Sequence, residues 1–253
     1  MPDARHPTDP LPRLDTLGLR ALVFDLDGVV TSTARLHFGA WKALFDAYLE
    51  TRDGPGFAPF TEADYMTLVD GRPRYEGVAK FLASRGIELP HGSPNDAPEA
   101  ETVCGLGNRK NIHFNHLLTT QGAEVFPSSV RLIERLKAKG LAMAVNSSSR
   151  NCQRVLETTG LLPLFDAVVD GVYADEHGLP GKPQPETFLA AARLVGAEPA
   201  TAAVFEDAVA GVRSARAGGF RLVVGIDRGA GRQALLDGGA DVVVTDLGEF
   251  NLD

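Results

Sequence analysis

Val23-Phe24-Asp25-Leu26-Asp27-Gly28-Val29-Val30-Thr31 is the stretch on which the rest of the chain turns. The apolar run Leu22 to Phe24 predicts a strand, and it delivers two carboxylates two positions apart before Gly28 breaks it. Side chains alternate along a strand, so Asp25 and Asp27 are expected on one face. Two like charges on one face repel unless a cation stands between them. The spacing therefore predicts a Mg²⁺ site at the C-terminal end of a buried strand, with one carboxylate left for chemistry. The plain alternative is a strand ending in a solvated, Asp-rich turn.

Composition narrows the field. The chain has 253 residues, 44% hydrophobic and 23% charged, which is ordinary for a globular protein. Its net charge of −8 excludes the basic stripe of a nucleic-acid binder, so any anionic substrate needs individual Lys and Arg residues. Cys104 and Cys152 offer no disulfide framework and no zinc spacing; reduced thiols and a cytoplasmic location are expected. No apolar run approaches the ~20 residues of a membrane span. Met1 to Pro12 has no apolar signal-peptide region, and residues 1–18 are expected to be a loose N-terminal arm.

Outward from the first strand the pattern turns helical. Leu36, Ala40, Leu44 and Tyr48 recur at helical spacing within Thr33 to Leu49. Thr51 to Phe60 reads as a Gly/Pro loop, Glu62 to Val69 and Tyr75 to Arg85 as helices, and Pro90 to Pro98 as a second loop. Glu99 to Gln121 reads as a helix interrupted at Gly105 and Gly107. From Glu124 onward short apolar strands alternate with helices, with strands at Leu141 to Val145, Ala167 to Val169, Ala202 to Phe205, Arg221 to Gly225 and Val242 to Val244. That alternation predicts an α/β fold with a doubly wound parallel sheet, Rossmann-like, carrying an inserted helical cap domain. The expected division is 19–35 and 123–253 for the core and 36–122 for the cap.

Three later segments match the first in character. Asn146-Ser147-Ser148-Ser149-Arg150-Asn151 follows a strand and opens a helix, where hydroxyls and backbone N–H groups suit a phosphate as well as an ordinary helix cap. Gly181-Lys182-Pro183 holds a lysine in a loop, where its ammonium can neutralise a phosphoryl oxygen or simply face solvent. Val204-Phe205-Glu206-Asp207 ends another strand in two acids; Asp207 suits a metal, and Glu206 suits direct or water-mediated ligation.

In this order the four segments resemble the haloacid dehalogenase superfamily of phosphoryl transferases. The resemblance implies that Asp25 is the nucleophile that becomes an aspartyl-phosphate. It implies that Asp27 is the general acid/base and a metal ligand through its main-chain carbonyl. Ser147 and Lys182 would hold the transferring phosphoryl group, and Asp207 would complete the Mg²⁺ site. True dehalogenases lack the second acid, so Asp27 argues against that chemistry.

The run FDLDGVVTSTARLHFGAWKALF, residues 24–45, is similar to the β-phosphoglucomutase branch, whose pattern there is close to FDLDGV-T-TA--H--AWK. By position Thr33 matches the hinge Thr, His37 the His that governs acid/base readiness, and Trp41 a wall of the sugar site. Gly71-Arg72-Pro73-Arg74 resembles the branch's glycine loop, with Arg74 as the clamp on the non-transferring phosphate. Lys110-Asn111 matches a pair contacting the sugar phosphate, and Ser147-Ser148-Ser149-Arg150-Asn151 fits the S-A-S-K-N run, with Arg150 for Lys. Asp70 departs from the pattern, standing where well-known members carry a Lys, and the cap is longer at 51–60 and 90–98.

The resemblance implies a Mg²⁺-dependent mutase that interconverts β-glucose 1-phosphate and glucose 6-phosphate through glucose 1,6-bisphosphate. A phosphatase of the same superfamily acting on a small sugar phosphate or nucleotide stays open, as does an idle binding module on the same fold. The expected partner is a small phosphorylated sugar, with no nucleic acid and no membrane, and the chain is expected to be monomeric.

Overall fold

The computed structural model describes residues 11–250. Along the chain come β1 (Ala21–Phe24), β2 (Thr31–Ser32), α1 (Ala34–Asp53), α2 (Glu62–Asp64, continued by a π-helical turn Tyr65–Val69), α3 (Arg74–Ser84) and α4 (Val103–Gln121). Then follow β3 (Glu124–Val125), α5 (Pro127–Ala138), β4 (Ala142–Asn146), α6 (Cys152–Thr158), β5 (Ala167–Val169), α7 (Gly171–Glu176) and α8 (Glu186–Leu194). The chain closes with β6 (Ala202–Glu206), α9 (Val209–Ala217), β7 (Leu222–Ile226), α10 (Arg232–Gly238) and β8 (Val242–Val244).

By its internal contacts the chain divides into two compact units, residues 11–32 with 124–250, and Thr33–Ala123. The helical unit opens at Thr33, ahead of the expected residue 36. Thr33 already stands at the N-cap of α1, where its carbonyl accepts the His37 N–H.

In the first unit the described strands form a six-stranded sheet in the order β5-β4-β1-β6-β7-β8, and every pairing is parallel. All four residues of β1 are buried, as the apolar run required, because a parallel strand is covered on both faces. Phe188 of α8, Val212 of α9 and Leu235 of α10 pack in one apolar cluster with Val23, Val204 and Val223 of the sheet. Strand order reverses at β1, so the ends of β1, β4 and β6 meet at the switch point where open α/β sheets bind ligands. Register is set by packing as well as by backbone bonds. Phe24 and Phe205 stand opposite each other on β1 and β6 with rings stacked 4.6 Å apart, so the acids that follow them, Asp25 and Glu206, arrive at the same level.

The helical unit is built around Phe45, Phe60, Phe81 and Trp41, with α1 and α4 packed along each other. Two expectations are corrected here. Helix α1 runs through Asp53, so the loop begins only at Gly54, whose φ of 78° ends the helix. Helix α4 starts at Val103, because the Thr102 hydroxyl accepts the Gly105 N–H, and it continues unbroken past Gly105 and Gly107. Those glycines are contacts rather than breaks. A Cβ at Gly105 would lie 2.3 Å from the Ala100 carbonyl oxygen, and one at Gly107 would lie 2.7 Å from the Tyr75 ring. Each helical glycine costs about 1 kcal/mol of propensity, which the close packing offsets.

The expected arm is corrected in part. Residues 1–10 lie outside the described residues, but Leu14–Thr16 form a turn of 3₁₀ helix with Leu14 buried, and Asp15 pairs with Lys139 of the same unit. The antiparallel β2–β3 pair and helix α7 have no counterpart in the sequence reading. Among the described residues no helix is long and apolar enough to cross a membrane.

Candidate active site

Strand β1 ends at Phe24, and the chain then turns tightly. Gly28 takes a φ of 84° and donates its N–H to the Thr31 carbonyl. Asp27 therefore lies in the turn and not on a strand face beside Asp25, which corrects the period-two expectation. The carboxylates that gather with Asp25 come from β6 instead: single oxygens of Asp25, Glu206 and Asp207 all lie within 4.8 Å of one another. Two glycines make this possible. A Cβ on Gly28 would sit 1.9 Å from Asp207 Oδ2, and one on Gly211 would sit 2.0 Å from Glu206 Oε2.

Lys182 enters this cluster from the loop before α8, a loop held by the Ser214 hydroxyl on the Gln184 carbonyl. Its Nζ donates to Asp25 Oδ1 at 2.5 Å and to Glu206 Oε2 at 2.7 Å, and all three side chains are buried. The other Glu206 oxygen accepts the Ala208 N–H. Glu206 thus orients Lys182 and the start of α9 as well as standing in the carboxylate group with Asp25 and Asp207. Burial disfavours the ammonium, but Asp25 and Glu206 outweigh it and hold Lys182 above its ordinary value. Burial also pushes the Asp25 carboxyl well above the usual carboxylate range; Lys182 opposes this, while Glu206 and Asp27 add to it. The cluster carries more carboxylates than one lysine can balance.

A divalent cation suits that deficit. The donors are carboxylate oxygens, the hard ligands Mg²⁺ prefers, and Gly28 leaves the space a side chain would fill against Asp207. The Asp27 carboxylate is not one of the three grouped here; a metal contact through its main-chain carbonyl is what the resemblance implies.

The Ser-rich loop follows β4. Ser147 is buried at the strand end, its N–H bonded to the Val169 carbonyl and its Oγ accepting the Ser149 N–H. Ser149 Oγ in turn accepts the Asn151 N–H at the start of α6. Helix α7 braces this loop from the next strand end. Asp170 caps α7 at the N–H groups of Val172 and Tyr173, and the Gly171 N–H donates to the Ser149 carbonyl. A Cβ at Gly171 would meet the Ser148 carbonyl oxygen at 2.8 Å. Arg150 is ion-paired with Asp175 of α7. Cys152 is buried behind the loop, and burial and then the nearby acids push its thiol well up.

The remaining candidates lie in the helical unit. Thr33 is buried at the start of α1, and Trp41 is buried and stacked on Phe45. Lys110 is buried with its Nζ 2.9 Å from His37 Nδ1 and 4.9 and 4.8 Å from the ring centres of Trp41 and Phe114. An ammonium only donates, so His37 Nδ1 accepts and the imidazole proton sits on Nε2. Asn111 Oδ1 accepts from Arg74 Nη2 at 3.0 Å, which orients the guanidinium. Gly71 takes a φ of 66° in the exposed turn before α3, and Asp70 ends the π-helical turn exposed. Arg109 is bound to the Pro98 carbonyl, so the long 90–98 loop is anchored to α4.

Burial, then Lys110 and Arg74, hold the His37 imidazole well below its ordinary value of 6.5. At pH 6.5, where a free imidazole is half protonated, His37 is expected to be neutral. Acidification through 6.5 protonates the unfolded chain but not the folded one. Stability is therefore expected to fall once the pH drops below 6.5, until the lower value of His37 itself is passed. An NMR titration, with the signal assigned by its loss in His37→Gln, checks this; imidazolium shifts for His37 at pH 6.5 would overturn it.

The family model of haloacid dehalogenase-like hydrolases matches residues 19–219. The chain belongs to this family. Among haloacid dehalogenase-like relatives, a beta-phosphoglucomutase of Mycobacterium bovis is 54% identical over 97% of this chain and 98% of its own. A beta-phosphoglucomutase of Bacillus subtilis is 33% identical over 93% of each chain. The crystal structure of a Clostridium difficile beta-phosphoglucomutase superposes with a TM-score of 0.73 at 25% identity, covering 92% of this chain and 93% of that one.

Against this haloacid dehalogenase-like frame, two supporting residues escaped the sequence reading. Asp170 could have been found as an acid at a strand end followed by Gly and a short helix. Gly211 carries no local signal, since its role depends on where Glu206 points.

Proposed function

We propose that the chain catalyses β-phosphoglucomutase chemistry, interconverting β-glucose 1-phosphate and glucose 6-phosphate through glucose 1,6-bisphosphate. The observation that carries this is 54% identity along nearly the whole length to a beta-phosphoglucomutase. In the first half-reaction a sugar hydroxyl oxygen attacks the phosphorus of Asp25-phosphate. Its proton passes to the Asp27 carboxylate, and the P–O bond to Asp25 breaks to leave the free carboxylate. In the second, Asp25 attacks the other phosphate, the ester P–O bond breaks, and Asp27 returns the proton to the leaving sugar oxygen. Lys182 and Ser147 hold the phosphoryl group in transfer, and Ser148, Ser149, Arg150 and Asn151 complete its loop. Mg²⁺ held by Asp25, Asp207 and the Asp27 carbonyl, with Glu206 beside them, would supply further neutralisation of phosphoryl charge.

A bisphosphate also needs a second phosphate-binding group, and Arg74, held by Asn111, is suited to it. Thr33, His37, Trp41, Gly71 and Lys110 serve the sugar side. The helical unit Thr33–Ala123 is then the cap domain of a monomeric, cytoplasmic enzyme whose partner is a small phosphorylated sugar. A phosphatase remains the second reading, because the matching family model is one of hydrolases. Supplying β-glucose 1-phosphate with catalytic glucose 1,6-bisphosphate separates them: a mutase forms glucose 6-phosphate, a phosphatase frees glucose and phosphate.

Arg74→Ala gives a sharper test. Loss of a charge-assisted, bidentate phosphate contact is expected to cost about 2–4 kcal/mol, roughly 30- to 1,000-fold in kcat/KM for sugar phosphates. Acetyl phosphate can only charge Asp25 and should lose far less. Equal losses for both donors would remove Arg74 from substrate binding.

A further inference from the structure

Arg228 lies in the loop after β7, outside every motif described above, yet it reaches the loop that carries Asp27. Its Nε donates to the Gly28 carbonyl at 2.8 Å and its Nη1 to the Thr245 carbonyl at 3.0 Å. The guanidinium lies 3.8 Å from the centre of the Phe126 ring. Phe126 in turn donates its N–H to the Val30 carbonyl, and the Ser129 hydroxyl binds the Val29 carbonyl at 2.6 Å. The turn Gly28 to Val30 is thus gripped at three successive carbonyls, and Arg228 holds the one adjoining Asp27. The adjacent Asp227 fixes the far side by accepting the Gly229 and Gly231 N–H groups. A planar fork that spans two carbonyls while stacking on a ring is a use of arginine that lysine cannot match.

We propose that Arg228 is a positioning residue for Asp27: it fixes the Gly28 peptide and thereby aims the acid/base carboxylate at the sugar oxygen. This rests on the assignment of Asp27 as the proton-transfer group. It separates two kinds of substrate. When Asp25 attacks acetyl phosphate, the leaving group is a carboxylate that departs without a proton. When the phosphoryl group moves to or from a sugar oxygen, a proton must move through Asp27. A loosened Asp27 slows only the second kind.

The test compares wild type with Arg228→Ala, with Arg216→Ala as control. Arg216 is another exposed arginine that binds a carbonyl, that of Gly239, and pairs with Asp241. Two rates are read: release of the first equivalent of acetate from acetyl phosphate, and consumption of β-glucose 1-phosphate. Arg228→Ala is expected to keep the acetate burst within about twofold and to lose at least about tenfold in sugar-phosphate consumption, part of the ~10²–10⁴-fold worth of acid/base catalysis. Arg216→Ala should keep both. Should Arg228→Ala not fold, Arg228→Lys carries the same comparison, with an expected loss of at least about threefold confined to the sugar phosphate. Equal losses in both rates, or no loss in either, would overturn the proposal. Consumption is counted whether the product is glucose 6-phosphate or glucose and phosphate, so failure of the mutase reading shows in the product and failure of this proposal in the ratio of rates.

Discussion

Asp25→Asn is expected to abolish phosphoenzyme formation and to lower turnover by roughly 10⁴-fold or more. An amide nitrogen or oxygen does not attack phosphorus as a carboxylate does, and no other carboxylate can replace it. Glu206 and Asp207 stand in the same group, but both Glu206 oxygens are already engaged, one by Lys182 and the other by the Ala208 N–H. The variant should fold. Lys182 keeps Glu206 as its partner, and the amide avoids the burial cost, and the repulsion from Glu206 and Asp27, that raise Asp25. Intact-mass spectrometry after acetyl phosphate treatment reads the outcome. Wild type should trap a beryllium-fluoride mimic of the phosphoryl group with Mg²⁺, and the variant should neither trap it nor gain a phosphoryl mass. Turnover like that of wild type would remove Asp25 as nucleophile.

Asp27→Asn is expected to separate metal binding from proton transfer. The Asp27 side chain does not belong to the carboxylate group of Asp25, Glu206 and Asp207, so Mg²⁺ affinity measured by calorimetry should change little. Turnover of sugar phosphates should fall by ~10²–10⁴-fold, the usual worth of a general acid/base. The acetate burst should survive, as in Arg228→Ala. A loss of turnover below about tenfold, or loss of Mg²⁺ binding, would count against the role given to this residue.

Much of the core was legible from local pattern. A buried parallel strand needs an unbroken apolar run, so Ala21 to Phe24 declared itself, and so did the strands leading to Ser147 and Glu206. Alternation of such strands with helices implied the doubly wound sheet. These inferences succeed because each depends on residues close together in the chain.

What depended on distant residues was not legible. The turn at Gly28 moves Asp27 off the strand face, and the stacked Phe24 and Phe205 rings set the level at which the ends of β1 and β6 meet. Gly105 and Gly107 look like helix breakers until Ala100 and Tyr75 are seen pressed against them. Arg228 lies 200 positions from the carbonyl it holds. The sequence alone determined where the core strands run and which acids end them, since apolar runs and the acids that follow them are local. Only the tertiary structure decided which groups stand around them and hold them in place, since strand register and side-chain packing are set by contacts that no short window of sequence contains.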